Sequence, residues 1–367
     1  MIRILHCADL HIDSAFSNCG VKEAAQRRRE LISAFSQAVE NARHLGVRLF
    51  LIAGDLFESA HTSFETVATI AREIASLPEC KFVIAPGNHD PYYKGGAYDL
   101  KVWPDNAFIF KTNTLSHFSF DDIGVDVYGY AFTGKAMREC PVDEVRLNAP
   151  DRINVLVAHG DTEDPLSDYC PLPKKLLETL PFDYIALGHI HGGNTSYAGE
   201  KYAYSGCLLG RALDETGYKG YIAGELSKES RNMRFVPLSK KRFEICSLDV
   251  TGLSTAEEIL AGIEGKLSEY GEETTLRVIL KGSLASSAGS FDEIKRKAGA
   301  RFDRLEIKNE AASELRKEDF SDEMTIKGAA FKKLLPLLQS ADKAEREKAR
   351  LALRYVTNAL SGNNDFS

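Results

Sequence analysis

The chain has 367 residues, of which 44% are hydrophobic and 27% charged, and its formal net charge is −7. That length allows two or three domains with at least one sizeable core, and the composition is that of an ordinary globular protein. The charge argues against a broadly basic nucleic-acid coat, though not a local groove, and no apolar run reaches the roughly 18 residues of a membrane span.

The opening stretch MIRILHCADLH is not expected to be a secretory leader, because its short apolar run is broken by Arg3, His6 and Asp9. Instead IRILHCA reads as a strand, and residues 22–45 carry a helical pattern that stops at Gly46. VRLFLIA (47–53) is a second strand, SFETVATIAREIASL a helix and KFVIA a third strand. This alternation predicts a buried parallel sheet. Shorter strands are expected near 107–110, 116–120 and 125–132, and INVLVAHGD and FDYIALGHIHGG are two more buried strands that end in histidines. Short alternating strands from 196 to about 237 complete the pattern. The expected architecture is an α/β, two-sheet αββα sandwich over residues 1–240.

Beyond a junction near LSKKRFE, residues 241–308 read as a small strand–helix–strand–helix–strand α+β unit. Residues 309–323 are polar and acid-rich, which suggests a linker, and 324–367 form a helical tail. In that tail Phe331, Leu334, Leu335 and Leu338 recur at helical spacing, and Pro336 is expected to kink or interrupt the helix. Ala352, Tyr355, Val356, Ala359 and Leu360 form a second apolar stripe. From Lys327 to Arg354 there are eight Lys or Arg against three Asp or Glu, so the tail carries local positive charge. The seven cysteines are scattered, with no C-x-x-C pair, and predict reduced thiols in a cytoplasmic protein.

Polar residues recur at predicted strand ends. CADLHID supplies Asp9 and His11, IAGDLFES supplies Asp55, and PGNHD supplies Asn88, His89 and Asp90. VAHGD supplies His159, and LGHIH supplies His189 and His191. Five of the nine histidines sit in these segments. The pairs Asp9/His11 and His189/His191 have period two, which would project both members from one side of an extended segment. Carboxylate, imidazole and amide oxygen together suit Mn²⁺, with Fe²⁺ or Zn²⁺ as alternatives, better than an all-oxygen Ca²⁺ cage. Their number is too large for one ion and natural for two ions about 3.5–4 Å apart. His6 is expected in the core, His44 and His117 at the surface, and His61 in the loop after Asp55.

D-x-H, G-D, G-N-H-D, H-G and G-H-x-H in this order resemble the calcineurin-like metallophosphoesterase superfamily, over residues 1–206. The overall architecture is similar to its SbcD/YhaO-type DNA-repair exonuclease branch. The resemblance implies that Asp9, His11, Asp55 and His191 hold one metal. Asp55 would bridge to a second, completed by Asn88, His159 and His189. It places His89 beside the scissile phosphate as the catalytic acid or charge stabiliser, with Asp90 orienting its imidazole. It implies hydrolysis of DNA phosphodiesters by a water activated between two metals, and an SMC-like coiled-coil ATPase of the SbcC or YhaN type as partner, docked on the tail. Residues 241–308 would cap the cleft and select DNA ends. A homodimer is compatible with this picture. Two alternatives stand beside it: a small-molecule or nucleotide phosphoesterase, and a catalytically silent scaffold. Glu58 stands where relatives often carry Asp or His, and YSGC (204–207) replaces a more usual Tyr-Pro-Gly-Ser.

Overall fold

The structure is a computed structural model that describes all residues except 18, 60, 143–144, 193–199, 272, 303, 314–324 and 361–367. They fall into two compact units, Met1–Phe243 and Glu244–Ser367. In the first, β1 (Ile2–Cys7) leads through α1 (Val21–Leu45) to β2 (Leu49–Ile52), then through α2 (Phe64–Ala75) to β3 (Lys81–Ile84) and β4 (Ala107–Ile109). These four strands lie parallel and in chain order. The chain then builds a second sheet from β5 (Ser116–Phe120), β6 (Val125–Gly129), β7 (Ile153–His159), β8 (Tyr184–Gly188) and β9 (Tyr202–Tyr204), with the short α3 (Lys174–Thr179) between β7 and β8. Finally β10 (Gly220–Leu226) and β11 (Arg231–Pro237) return to the first sheet, antiparallel on the free side of β1.

Local chemistry explains the element ends. Helix α1 stops at Gly46, whose left-handed φ of 64° lets its N–H turn back to the carbonyls of Ala42 and Arg43. Helix α2 starts at Ser63, whose hydroxyl accepts from the Thr66 N–H. Strands β2, β7 and β8 are buried along their whole length, as parallel strands covered on both faces must be.

Three apolar clusters define four layers. Phe50, Ile52, Phe82 and Ile84 pack against Leu31, Phe35 and Val39 of α1 and Val67, Ile70 and Ile74 of α2. Ile4, Leu49, Leu51 and Val83 meet Val125, Val127, Val155 and Val157 between the sheets. Tyr128, Leu156, Ile185 and Leu187 pack against Leu177 and Phe182 on the outer face of the second sheet. This is the expected αββα sandwich. Parallel strands in both sheets send their carboxyl ends the same way within each sheet, which gathers the polar strand-end motifs.

The second unit has a three-stranded sheet in the order β12 (Arg242–Asp249), β13 (Thr274–Lys281), β15 (Leu305–Asn309), with α4 (Ala256–Tyr270) and α5 (Phe291–Arg301). Thr255 and Glu258 form a reciprocal capping box at the start of α4. Two short strands, β14 (Ser283–Leu284) and β16 (Ala312–Ser313), pair in parallel. The acid-rich segment therefore begins as structure: the Glu310 N–H bonds the Leu280 carbonyl, and Ala311 is buried in the unit's core. Residues 314–323 of the expected linker lie outside the described residues.

Helices α6 (Ile326–Leu338) and α7 (Lys343–Leu360) pack on one another. Pro336 does not interrupt α6. It sits in the last turn, where the loss of one intrahelical bond is tolerated near a frayed end. In α7 the buried face is Ala349 and Leu353, flanked by Ala352 and Val356, whereas Tyr355 is 46% exposed. The expected stripe is thus rotated, and the Ala359 and Leu360 side chains lie outside the described set.

One polar residue crosses the inter-sheet core. His6 is buried, its Nε2 donates to the Leu187 carbonyl at 3.1 Å, and its Nδ1 accepts from the Tyr184 hydroxyl at 3.0 Å. Burial lowers its pKa to about 3 from an ordinary 6.5. A lowered imidazole pKa means that the unfolded chain binds the extra proton, so this contribution is present above pH 6.5 and is lost as pH falls toward 3. Urea unfolding across that window should show stability falling with pH, and His6→Gln should flatten the slope by about one proton. An unchanged slope would contradict the account.

Candidate metal centre

The strand-end motifs meet at one place. Asp9, His11 and His191 form one cluster of ligand atoms lying within 4.8 Å of one another, and Asp9, Asp55 and His159 form a second. Asp55 Oδ2 stands between them, 3.7 Å from His11 Nε2 and 3.4 Å from His159 Nε2. Asn88 joins the second cluster through Oδ1, 2.9 Å from His159 Nε2. His189 belongs to neither: its ring is 5.3 Å from that of His159, and its Nε2 is 4.0 Å from Asp161 Oδ2.

These ligands do not sit on extended backbone. β1 ends at Cys7 and β8 at Gly188, and the next residues turn sharply. Asp9, His11, Asp55 and His189 have φ of 53°, 47°, 49° and 112°, in a region that side-chain-bearing residues rarely enter. Sharp turns, and not the period-two alternation expected of an extended segment, bring Asp9 and His11 into one cluster, while His189 and His191 do not share one. Hydrogen bonds hold the turns: His11 N–H bonds the Asp55 carbonyl at 3.0 Å, and His189 N–H donates to both Asp9 oxygens at 3.0 and 3.1 Å.

The donor set fits cations. His159 Nδ1 donates to the Ala53 carbonyl at 3.0 Å and His191 Nδ1 to Glu215 Oε1 at 2.8 Å, so each Nε2 presents a lone pair. The His159 lone pair faces Asn88 Oδ1 at 2.9 Å, two acceptors that repel unless a positive centre lies between them, and His191 Nε2 lies 3.0 Å from His11 Nε2. The carboxylates of Asp9 and Asp55 beside the imidazoles make a mixed set suited to first-row divalent ions. Burial works against the charge on Asp55, but the imidazoles of His159, His11 and His89 overturn this and hold its carboxyl below the usual range. Burial and the neighbouring His159 lower the pKa of His189, which keeps its ring neutral.

His89 is half exposed, edge-on to the His11 ring with centroids 4.7 Å apart. Asp90 does not orient it. The Asp90 carboxylate turns back into its own loop, accepting from Gly87 N–H at 2.8 Å, Phe57 N–H at 2.9 Å and the Tyr98 hydroxyl. Asp side chains cap their own turns readily, and this one is buried, which together with the charge of Asp55 raises its pKa to about 6. The carboxylate facing His89 is Glu58, with Oε1 3.6 Å from His89 Nδ1 and Oε2 3.2 Å from His11 Nδ1. Glu58 raises the His89 pKa.

Two further residues were not singled out from sequence. Glu215, buried, accepts from His191, and Arg211 links Glu215 to Glu58. Both lie in the loop between β9 and β10, where no periodic pattern marks them, and only their spacing of four hinted at a pair.

A family model described as calcineurin-like phosphoesterase matches residues 2–193, which is 192 of 367 residues. The chain belongs to the calcineurin-like phosphoesterases. It is a phosphoester-hydrolysing enzyme of a dinuclear metal-dependent family. It is 27% identical over 314 residues to the uncharacterized metallophosphoesterase YhaO of Bacillus subtilis, covering 80% of this chain and 76% of the relative. It is 24% identical over 210 residues to the DNA double-strand break repair protein Mre11 of Methanopyrus kandleri (52% of this chain, 44% of the relative). A similar match to Mre11 of Methanosarcina mazei gives 24% over 310 residues (80% and 47%). The chain thus spans about half the length of these Mre11 relatives.

Within this phosphoesterase site, Gly188 allows the two sheets to approach. A Cβ there would lie 1.8 Å from the Ala53 carbonyl oxygen, the same oxygen that fixes the His159 ring. Gly188→Ala is therefore expected to destabilise the fold by about 1–3 kcal/mol or more and to lower Mn²⁺ retention. Thermal unfolding and metal analysis of the variant check both effects.

Proposed function

We propose that this phosphoesterase is a metal-dependent DNA exonuclease, working in DNA repair with an SMC-like coiled-coil ATPase of the SbcC or YhaN type. The observation that carries the reading is the convergence of Asp9, His11 and His191 with Asp9, Asp55 and His159 in two clusters that share Asp9, with Asn88 Oδ1 against His159. The names of the Mre11 relatives supply the DNA-repair context. Asp9, His11, Asp55 and His191 would hold one divalent ion, and Asp55, Asn88, His159 and His189 the other, with Mn²⁺ the favoured metal. Bound there, the ions would supply Lewis acidity and a water of lowered pKa.

The chain's own residues do the rest. His89, whose pKa Glu58 raises, is half exposed, where it can hydrogen-bond a phosphate oxygen and give a proton to the leaving oxygen. Asp55, ionised between the clusters, keeps the two positions joined. The left-handed turns at Asp9 and His11 fix the carboxylate and imidazole before substrate arrives, so little reorganisation is needed during reaction. Residues 241–308 would select DNA ends and the helical tail would bind the ATPase. Among the described residues no helix is long and apolar enough to cross a membrane, and all seven cysteines are free, which supports a cytoplasmic setting.

End-labelled duplex DNA should be degraded with Mn²⁺ and left intact in excess chelator. Asp55→Asn should lose metal and activity together. His89→Ala should keep its metal content and lose turnover by roughly 10²–10⁴-fold. Cleavage of bis-p-nitrophenyl phosphate without any attack on DNA would favour a small-molecule phosphoesterase instead.

A chain ending at Phe320 is expected to keep Mn²⁺-dependent diester hydrolysis and to stop co-purifying with the ATPase. Complex formation undiminished by that truncation would remove the docking role from the tail.

A further inference from the structure

Behind the two clusters, two carboxylates face the imidazoles from different loops, and Glu58 forms a further candidate group with His11 and His89. Glu215 accepts from His191 Nδ1 at 2.8 Å, while Glu58 lies 3.2 Å from His11 Nδ1 and 3.6 Å from His89 Nδ1. Burial works against the charge on each, and the hydrogen bonds they receive overturn this. One cation sits between them. The Arg211 guanidinium donates to Glu215 Oε1 from Nε at 3.1 Å and from Nη2 at 2.7 Å, and its backbone N–H reaches Glu215 Oε2 at 2.6 Å. Its remaining nitrogen, Nη1, donates to Glu58 Oε2 at 3.0 Å and to the Ser14 hydroxyl at 3.4 Å. The side chain is 18% exposed, so solvent screens these contacts weakly.

We propose that Arg211 is the positioning residue of this centre. It locks the two outer carboxylates so that Glu215 aims the metal-facing nitrogen of His191 while Glu58 holds His11 and the phosphate-side His89. The inference rests on the metal-site reading given above. The fork is already engaged by Glu215, Glu58 and Ser14, and its Nη2 also lies 3.2 Å from His191 Nδ1. Arg211 therefore acts on the imidazoles and their carboxylates and does not grip substrate. Its geometry also explains the residue type. A planar fork reaches two carboxylates at fixed angles, and a lysine ammonium, a single point charge on a flexible stem, does not. The usual expectation of one orienting carboxylate for each histidine becomes here a single linked network running from His191 to His89. Its loss should therefore disturb metal binding and proton delivery together.

The test uses the full-length chain and its Arg211→Ala, Arg211→Lys, Glu215→Gln and Glu58→Gln variants. Mn²⁺ affinity is read by titration, and kcat and KM for bis-p-nitrophenyl phosphate at saturating Mn²⁺. Arg211→Ala should bind Mn²⁺ about 10–100-fold more weakly. At saturating Mn²⁺ it should still show a lowered kcat with KM unchanged, and added guanidinium ion should restore part of both losses. Arg211→Lys should remain impaired. Glu215→Gln should reproduce chiefly the affinity loss, and Glu58→Gln chiefly the loss in kcat. Wild-type affinity and kcat in Arg211→Ala overturn the proposal. Should that variant fail to fold, Arg211→Lys decides: a folded Lys variant with wild-type behaviour refutes the need for a fork. If the wild-type chain is active and metal-loaded while the variants match it, only the Arg211 role falls. A wild-type chain that neither binds Mn²⁺ nor hydrolyses the diester overturns the metal reading and this inference with it.

Discussion

The crowding of ligand-type atoms in one buried place, with His159 Nε2 2.9 Å from Asn88 Oδ1 and His191 Nε2 3.0 Å from His11 Nε2, is the constraint on which the catalytic half of the molecule rests. The facing acceptors of His159 and Asn88 are repulsive by themselves, and burying the carboxylates of Asp9 and Asp55 beside them is costly. A chain assembles such a cluster when surrounding structure over-determines it and when positive charge compensates it. Here the over-determination is visible in the backbone: four of the ligand residues hold left-handed or otherwise rare φ values, each tied by hydrogen bonds to a neighbouring loop.

The sandwich is the frame that makes this strain tolerable. Strands β1, β2 and β3 present one row of turns, and β7 and β8 another, and the two rows touch where Gly188 meets Ala53. Apolar packing on three levels leaves little freedom for the sheets to slide, because close-packed interiors transmit displacement instead of absorbing it. His6 adds a directional tie between β1 and β8 within that core. A small shift of either sheet would therefore appear at the metal positions as a change in ligand spacing.

Around the cluster the chemistry divides by charge. Imidazoles and carboxylates of the clusters face inward, and Glu58 and Glu215 stand behind them, bound to Arg211. His89 differs from the other histidines in that it is exposed on one side and carries its carboxylate partner on the other. That asymmetry suits a group which meets substrate, whereas His159 and His191 are each held through Nδ1, by the Ala53 carbonyl and by Glu215. The second unit, with its own core and its pair of packed helices, contributes none of the clustered ligands.

Much of this was legible in the sequence. Periodicity located the strands and helices, and the polar residues at Asp9, His11, Asp55, Asn88, His89, His159, His189 and His191 stood out because buried strands have no other reason to end in imidazoles and carboxylates. Residue type pointed to divalent metals, and the resemblance of the ordered motifs to calcineurin-like phosphoesterases implied phosphoester hydrolysis. Tertiary structure alone decided which carboxylate faces which histidine. Asp90 is adjacent to His89 in the chain, yet its side chain bonds the loop backbone, and the partner comes from Glu58 on another loop. Glu215 and Arg211 were invisible for the same reason: side-chain hydrogen bonds depend on angles and distances set by folding, and residues in an aperiodic loop leave no spacing from which those can be read. Sequence order determined the inventory of ligands, and the three-dimensional path of the loops determined their pairing.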